Sequence, residues 1–200
     1  MDAELDYRLI LFALLAGFVA HRAYYTQKRG RSDGDTLKSR DRSPAQVVAG
    51  GLNAIALLSS AVYLIYPAAL AWAALPFPAW LRWAGTLVAV GGFALLQWAH
   101  RALSRNWSDA PRLLNDQTLT RTGPYRWVRH PMYTAFLIIL SGPLFITANW
   151  LVGLSWIAAT ALEIASRVRF EEALLAETFS NEYHDYAQHT GRLLPRFQER

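Results

Sequence analysis

Cysteine is absent from this chain of 200 residues. Disulfides, thiolate metal sites and cysteine nucleophiles are therefore excluded at once. Histidine is scarce as well, and His184 and His189, five apart, lack partners at metal-ligand spacing, so no metal site is expected. Glycine-rich phosphate loops are missing: Gly50-Gly51 and Gly91-Gly92 fall inside apolar runs and open no strand-to-helix turn, which excludes a Rossmann-type cofactor site. The first residues, Met1-Asp2-Ala3-Glu4-Leu5-Asp6, are acidic where the start of a cleaved signal peptide is basic, so no such peptide is expected. There is no internal repeat and no low-complexity tract.

What the chain has in quantity is apolar sequence in long blocks. Hydrophobic residues make up 53%, with eight Trp, nine Tyr and nine Phe. A membrane-crossing helix needs roughly 20 mostly apolar residues, and Leu5–Tyr25, Ala45–Pro67 and Leu81–His100 each supply them. Tyr133–Ala148 and Trp150–Ala165 are shorter, roughly 24 Å each at 1.5 Å per residue, and only Asn149 separates them. They read as a tight helical hairpin, the alternative being a re-entrant pair. Pro143 inside the first is tolerable where neighbours satisfy the freed carbonyl. The fold expected is an all-α integral membrane protein of about five spans, with residues 1–100 as a three-span region and 101–200 as a functional core.

Charge orients the bundle. All Lys and Arg except Arg8 and Arg82 fall in Arg22–Arg42, Arg101–Arg129 and Arg167–Arg200. Five spans put those segments on one side, which the positive-inside rule makes the cytoplasm. The net charge of +5 is then explained by topology and anionic lipid, and nucleic acid is not an expected partner. Gln27–Arg42 reads as a polar loop and Leu75–Trp80 as a short outer turn. From Arg167 the fifth span continues into a surface helix: Leu175, Phe179, Tyr183 and Tyr186 share one face, and Gly191 and Pro195 end it. That helix roofs the site from the cytosol.

Two charged clusters flank the hairpin. In Gly123–Tyr133 (GPYRWVRHPMY), the Gly-Pro turn holds Arg126, Arg129 and His130 on a loop, and Pro131 starts a helix whose free N–H groups favour an anion. Alone, Arg129-His130-Pro131 also suits a snorkelling arginine and an ordinary helix start. In Arg167–Glu172, Arg167 shares a helix face with Glu171, and Arg169 with Glu172. These pairs also read as surface salt bridges, but ionisable groups at the end of an apolar span tend to be functional. Together the clusters offer donors (Arg129, His130, Arg167), acceptors (Glu171, Glu172) and aromatic faces (Tyr125, Trp127, Tyr133), a combination suited to a zwitterionic nucleoside ligand.

The segment Gln117–Tyr133 (QTLTRTGPYRWVRHPMY) resembles the isoprenylcysteine carboxyl methyltransferase and phospholipid methyltransferase superfamily of membrane enzymes. So do Arg167–Glu172 with Phe179, Glu182-Tyr183 and Tyr186, and the closing Thr190-Gly191-Arg192-Leu193-Leu194-Pro195. The resemblance covers about half the chain, Asn106–Pro195. It implies S-adenosylmethionine as cofactor at the cytoplasmic surface. Gln117, Thr118, Leu119, Thr120, Tyr125, Arg129, His130, Pro131, Met132 and Glu171 would line its pocket, with Tyr133 and Glu172 completing the set. Arg167 would face the acceptor, a lipophilic small molecule or lipid such as a prenylcysteine-like carboxylate or a headgroup amine. Arg167, His130 and Glu171 are the catalytic candidates. The chain departs from the family where Gln117 replaces a common His, Thr120 a small aliphatic residue, Ala135 a Gly, and Ser180-Asn181 a Gly-Glu pair.

Two other readings stand beside this one. A membrane reductase of the sterol-reductase kind would take NADPH, whose 2′-phosphate favours added arginine over the paired carboxylates Glu171-Glu172. A non-catalytic membrane scaffold is the other, against which the intact Arg129, His130, Arg167 and Glu171 speak.

Overall fold

The computed structural model describes residues 3–29, 44–103 and 118–196. Gln117 and the expected loop Gln27–Arg42 beyond residue 29 lie outside them. Five helices follow in order: α1 Ala3–Arg29, α2 Pro44–Ile65, α3 Ala79–Leu103, α4 Pro131–Thr147 and α5 Trp150–His189. No strand occurs among the described residues, only two isolated bridges. Four of the helices are long and apolar enough to cross a membrane, and α4 is shorter at 17 residues. The chain is thus an all-α membrane protein. Its last helix continues from the hairpin into the C-terminal segment, as the sequence leads one to expect, and breaks helical geometry at a kink at Ser180 (φ 43°, ψ −119°).

The chain divides into two compact units, Met1–Ala89 with Leu140–Glu163, and Val90–Ile139 with Ile164–Arg200. In the first, the two arginines that break the charge pattern are occupied at helix ends. Arg8 donates to the Leu64 carbonyl near the end of α2 at 2.7 Å. Arg82 donates to the Ile146 carbonyl near the end of α4 at 2.7 and 2.9 Å. The last carbonyls of a helix have no intrahelical donor and carry partial negative charge, so a guanidinium satisfies both needs. Arg82 also pairs with Glu4 at 3.2 Å, lays its guanidinium over the face of the Tyr7 ring at 3.4 Å and donates to the Tyr63 hydroxyl at 3.0 Å. Tyr63 in turn donates to Glu4.

Two side-chain bonds register α2 against α5. Asn53 donates to Glu163 at 3.1 Å, and the Trp156 indole donates to Ser60 at 3.0 Å. The partners are seven residues apart on each helix, ascending on one and descending on the other, so the two helices run antiparallel with matched turns.

The hairpin between α4 and α5 is as tight as its single polar residue suggests. Ala148 takes a positive φ of 46°, uncommon without glycine. Asn149 holds the turn from both ends of its amide: its oxygen accepts from Val152 N–H at 3.2 Å, capping α5, and its nitrogen donates to the Leu70 carbonyl at 2.9 Å. Leu70 belongs to a 3-10 helix, Pro67–Ala73, where the sequence reading had only the end of a span. Leu75 N–H donates to the Ala148 carbonyl at 2.6 Å. Close packing then requires Gly153, since a Cβ there would lie 2.3 Å from that of Leu144.

Candidate functional site

The site lies in the second unit, on the turn Gly123–Arg126, the start of α4, the later half of α5 and the segment after it. Gly123 has φ 59°, and a Cβ on it would meet Ala102 at 2.8 Å, so the turn pairs a left-handed conformation with close approach to α3. Beyond the turn, Trp127 packs edge-on to Trp98 at 5.7 Å with Arg126 over its ring at 3.7 Å. Arg121 fixes the approach by donating to the Glu182 carbonyl at 2.7 Å and pairing with the Glu182 carboxylate at 3.2 Å. Tyr186, buried on α5, donates its hydroxyl to the Tyr125 carbonyl at 2.5 Å. Burial, then Tyr186 and Glu171, push the pKa of the buried Tyr125 hydroxyl up.

The backbone of Trp127–His130 is held by residues far along the chain. Arg129 N–H donates to the Gly191 carbonyl at 2.8 Å, His130 N–H to the Arg192 carbonyl at 3.1 Å, and Gly191 N–H to the Trp127 carbonyl at 3.2 Å. Thr134, one turn into α4, adds a bond from its hydroxyl to the Leu193 carbonyl at 2.6 Å. A Cβ on Gly191 would sit 1.7 Å from the Leu194 carbonyl oxygen, so this sharp bend admits only glycine.

On this frame the charged side chains converge. Arg129 donates from Nε to Glu172 at 3.0 Å and from Nη1 to the carbonyls of Ala187, at 3.0 Å, and of Thr190. It thereby caps the end of α5. Glu172 receives Arg192 on its other oxygen at 2.5 Å. Burial raises the Glu172 pKa, but the contacts with His130, Arg192 and Arg129 outweigh it and bring the carboxyl, beyond the apolar run of α5, down to about 2. Glu171 receives the Tyr133 hydroxyl at 2.5 Å, and Arg167 faces the same hydroxyl.

His130 lies between the two carboxylates. Its Nδ1 is 3.6 Å from Glu171 and its Nε2 is 3.4 Å from Glu172, while its ring stacks on Tyr133 at 5.6 Å between centroids. It is only 7% exposed, and its Nε2 has no partner in hydrogen-bond geometry. The Tyr183 hydroxyl, buried and facing Glu172 and Arg129, likewise has no partner in hydrogen-bond geometry.

The structure therefore brings together Tyr125, Arg129, His130, Tyr133, Arg167, Glu171 and Glu172. Pro131 is fully buried at the start of α4 and Met132 is half-buried beside it. Thr118, exposed, and Leu119 and Thr120, half-buried, form irregular chain leading to the turn. Sequence reasoning missed Arg192, Tyr183 and Arg121 as members of the cluster. Tyr183 was legible as part of an apolar helix face and Arg192 as part of the closing motif, but neither as a member of the cluster, since nothing in the spacing ties Arg192 to Glu172.

A model of the isoprenylcysteine carboxyl methyltransferase family matches residues 84–177, which takes in the Arg129-His130-Pro131 loop and both glutamates. Over 81 residues, 40% of this chain and 34% of the relative, it is 35% identical to a protein-S-isoprenylcysteine O-methyltransferase of Saccharomyces cerevisiae. Over 118 residues, 58% of this chain and 42% of the relative, it is 28% identical to the protein of the same name from Tribolium castaneum. The matches thus span well under half the length of these curated relatives. A solved structure of a eukaryotic intramembrane Ras methyltransferase, an isoprenylcysteine carboxyl methyltransferase, shares the fold. Its TM-score is 0.68 at 21% identity, over 98% of this chain and 68% of that one.

Proposed function

We propose that this chain is a membrane methyltransferase of the isoprenylcysteine carboxyl methyltransferase kind, which moves a methyl group from S-adenosylmethionine to a lipophilic acceptor at the cytoplasmic membrane surface. Residues 101–200 serve as the methyltransferase core, carried by the spans before them. The observation that carries the reading is His130: a buried imidazole set between two carboxylates at 3.6 and 3.4 Å, with no hydrogen bond closed at Nε2, and stacked on a tyrosine. A buried polar atom left unpaired costs about 1–3 kcal/mol. The Tyr183 hydroxyl is such an atom, and His130 Nε2 beside it meets Glu172 at 3.4 Å without closing a hydrogen bond, so the cluster suits a polar ligand that completes both. The hydroxyls, ammonium and carboxylate of S-adenosylmethionine fit a set holding both acceptors and donors.

When bound, the cofactor supplies a methyl group on a positively charged sulfur, and in-line transfer chiefly requires alignment. The roles of the chain's own residues follow from what each touches. Glu171 offers a carboxylate oriented by Tyr133 to hydroxyl or ammonium groups. His130 offers one ring nitrogen, with the orientation of the ring fixed by its neighbours. Arg167, placed by the Tyr133 hydroxyl, orients a carboxylate on the acceptor, the group named in the matching family and in the solved structure of like fold. A carboxylate nucleophile needs no base, whereas an amine acceptor would lose its proton to Glu171 or His130. The lipophilic body of the acceptor enters from the bilayer.

Calorimetric titration of the detergent-purified protein with S-adenosylhomocysteine, with NADPH as control, tests the reading. Binding of S-adenosylhomocysteine alone is expected. Binding of NADPH alone would replace the proposal with a reductase, and binding of neither would leave a scaffold.

A further inference from the structure

Arg192 is half exposed and distant in sequence from every residue assigned to the cofactor, yet it touches the centre of the cluster. Its guanidinium reaches Oε2 of Glu172 at 2.5 Å. The other oxygen of that carboxylate accepts from Arg129 and lies 3.4 Å from His130 Nε2. Its own carbonyl accepts from His130 N–H at 3.1 Å. Arg192 therefore holds His130 from two directions, by backbone and through Glu172. A glutamate side chain rotates about three bonds, and a carboxylate held on one oxygen alone can turn away from an imidazole. Held on both, it stays in the plane that the two arginines define.

An energetic reading of the pair would be weak, because a half-exposed ion pair contributes about 0–1 kcal/mol. The geometric reading is stronger. We infer that Arg192 is a positioning residue: by fixing Glu172 it sets the orientation of the His130 ring and so the shape of the cofactor site. The segment Thr190–Leu193 is then part of the site and not merely the end of a helix. This rests on the assignment of His130 to a cofactor pocket. Gly191 belongs to the same device, since the bend it permits delivers both the Arg192 side chain and the carbonyls of Gly191 and Arg192 to the loop.

The test is a double-mutant cycle read by S-adenosylhomocysteine calorimetry on the full-length protein in detergent. Arg192→Gln is expected to weaken binding about tenfold with a nearly unchanged melting temperature, and Arg192→Lys to recover most of it. In a His130→Ala background, Arg192→Gln is expected to change affinity less than twofold, since interacting residues are non-additive. Equal tenfold losses in both backgrounds would make Arg192 independent of His130 and overturn the inference, as would an Arg192→Gln protein that binds like wild type. Should His130→Ala bind too weakly to measure, the lysine rescue decides: no rescue counts against. Wild-type protein that fails to bind at all would overturn the cofactor assignment and this inference with it.

Discussion

Glu171 and Glu172 are neighbours in the chain and turn to different partners. Glu171 meets the Tyr133 hydroxyl at 2.5 Å, whereas Glu172 is enclosed by Arg129 at 3.0 Å and Arg192 at 2.5 Å. One carboxylate is tied to a neutral phenol and the other is charge-neutralised by two guanidiniums. The difference separates their roles, since only the first keeps its charge available to a ligand.

Glu171→Ala is accordingly expected to leave the melting temperature within a few degrees of wild type and to weaken S-adenosylhomocysteine binding tenfold or more. Glu172→Ala is expected to lower stability by about 2–4 kcal/mol, because Arg129 then loses its counter-charge at a largely buried position. Thermal melts beside calorimetry on both variants check this pair. Equal behaviour of the two would dissolve the distinction.

Acid should act through Glu172. Its pKa falls from 4.5 to about 2 on folding, so the folded state binds the proton less well than the unfolded chain. The stabilisation is fully present above pH 4.5 and disappears as pH drops through about 2, at most roughly 3 kcal/mol in all. Melting the wild type and Glu172→Gln from pH 7 to pH 2.5 checks it: the gap between the curves should narrow on acidification. A gap that held constant would mean the carboxylate is not the titrating group.

Ser180 sits at φ 43°, ψ −119°, a conformation that suits glycine. Ser180→Gly is expected to stabilise the protein by about 1 kcal/mol, relief of strain exceeding the added freedom of the unfolded chain. A lower melting temperature for the glycine variant would count against strain at this kink.

Gly153→Ala should do the opposite. The new methyl would fall 2.4 Å from the Leu144 Cα, a backbone atom that cannot swing aside. A loss of about 2 kcal/mol or more is expected from the forced separation of α4 and α5. Near-wild-type melting would show that the hairpin packs more loosely than its geometry indicates.

How much of this could be read from the residue string differs between fold and site. The apolar blocks were legible because hydrophobic length is a local property, and the helices overrun the expected spans by only a few residues at most ends. The continuation of α5 beyond Ala165 was legible from the face formed by Leu175, Phe179, Tyr183 and Tyr186. What was not legible depends on distant partners. Arg8 and Arg82 stood out only as exceptions to the charge pattern, and the carbonyls they cap belong to helices 56 and 64 residues away. Arg129 was read as a donor for a ligand anion. In the structure three of its N–H groups already serve Glu172 and the last carbonyls of α5, which no spacing rule connects to it. The 3-10 helix Pro67–Ala73 was masked by apolar composition continuous with α2.

The clasp between the loop at Arg129 and the segment from Thr190 also sets an order of events during synthesis. Their contact joins residues 61 positions apart. At about 5–20 residues per second, the ribosome needs roughly 3–12 s to make that stretch. Throughout that interval the loop lacks the carbonyls and the arginine that shape it. The hairpin and the pocket thus draw on different parts of the chain, and a chain ending after α5 would keep both apolar helices while lacking the Thr190, Gly191 and Arg192 carbonyls that hold the loop.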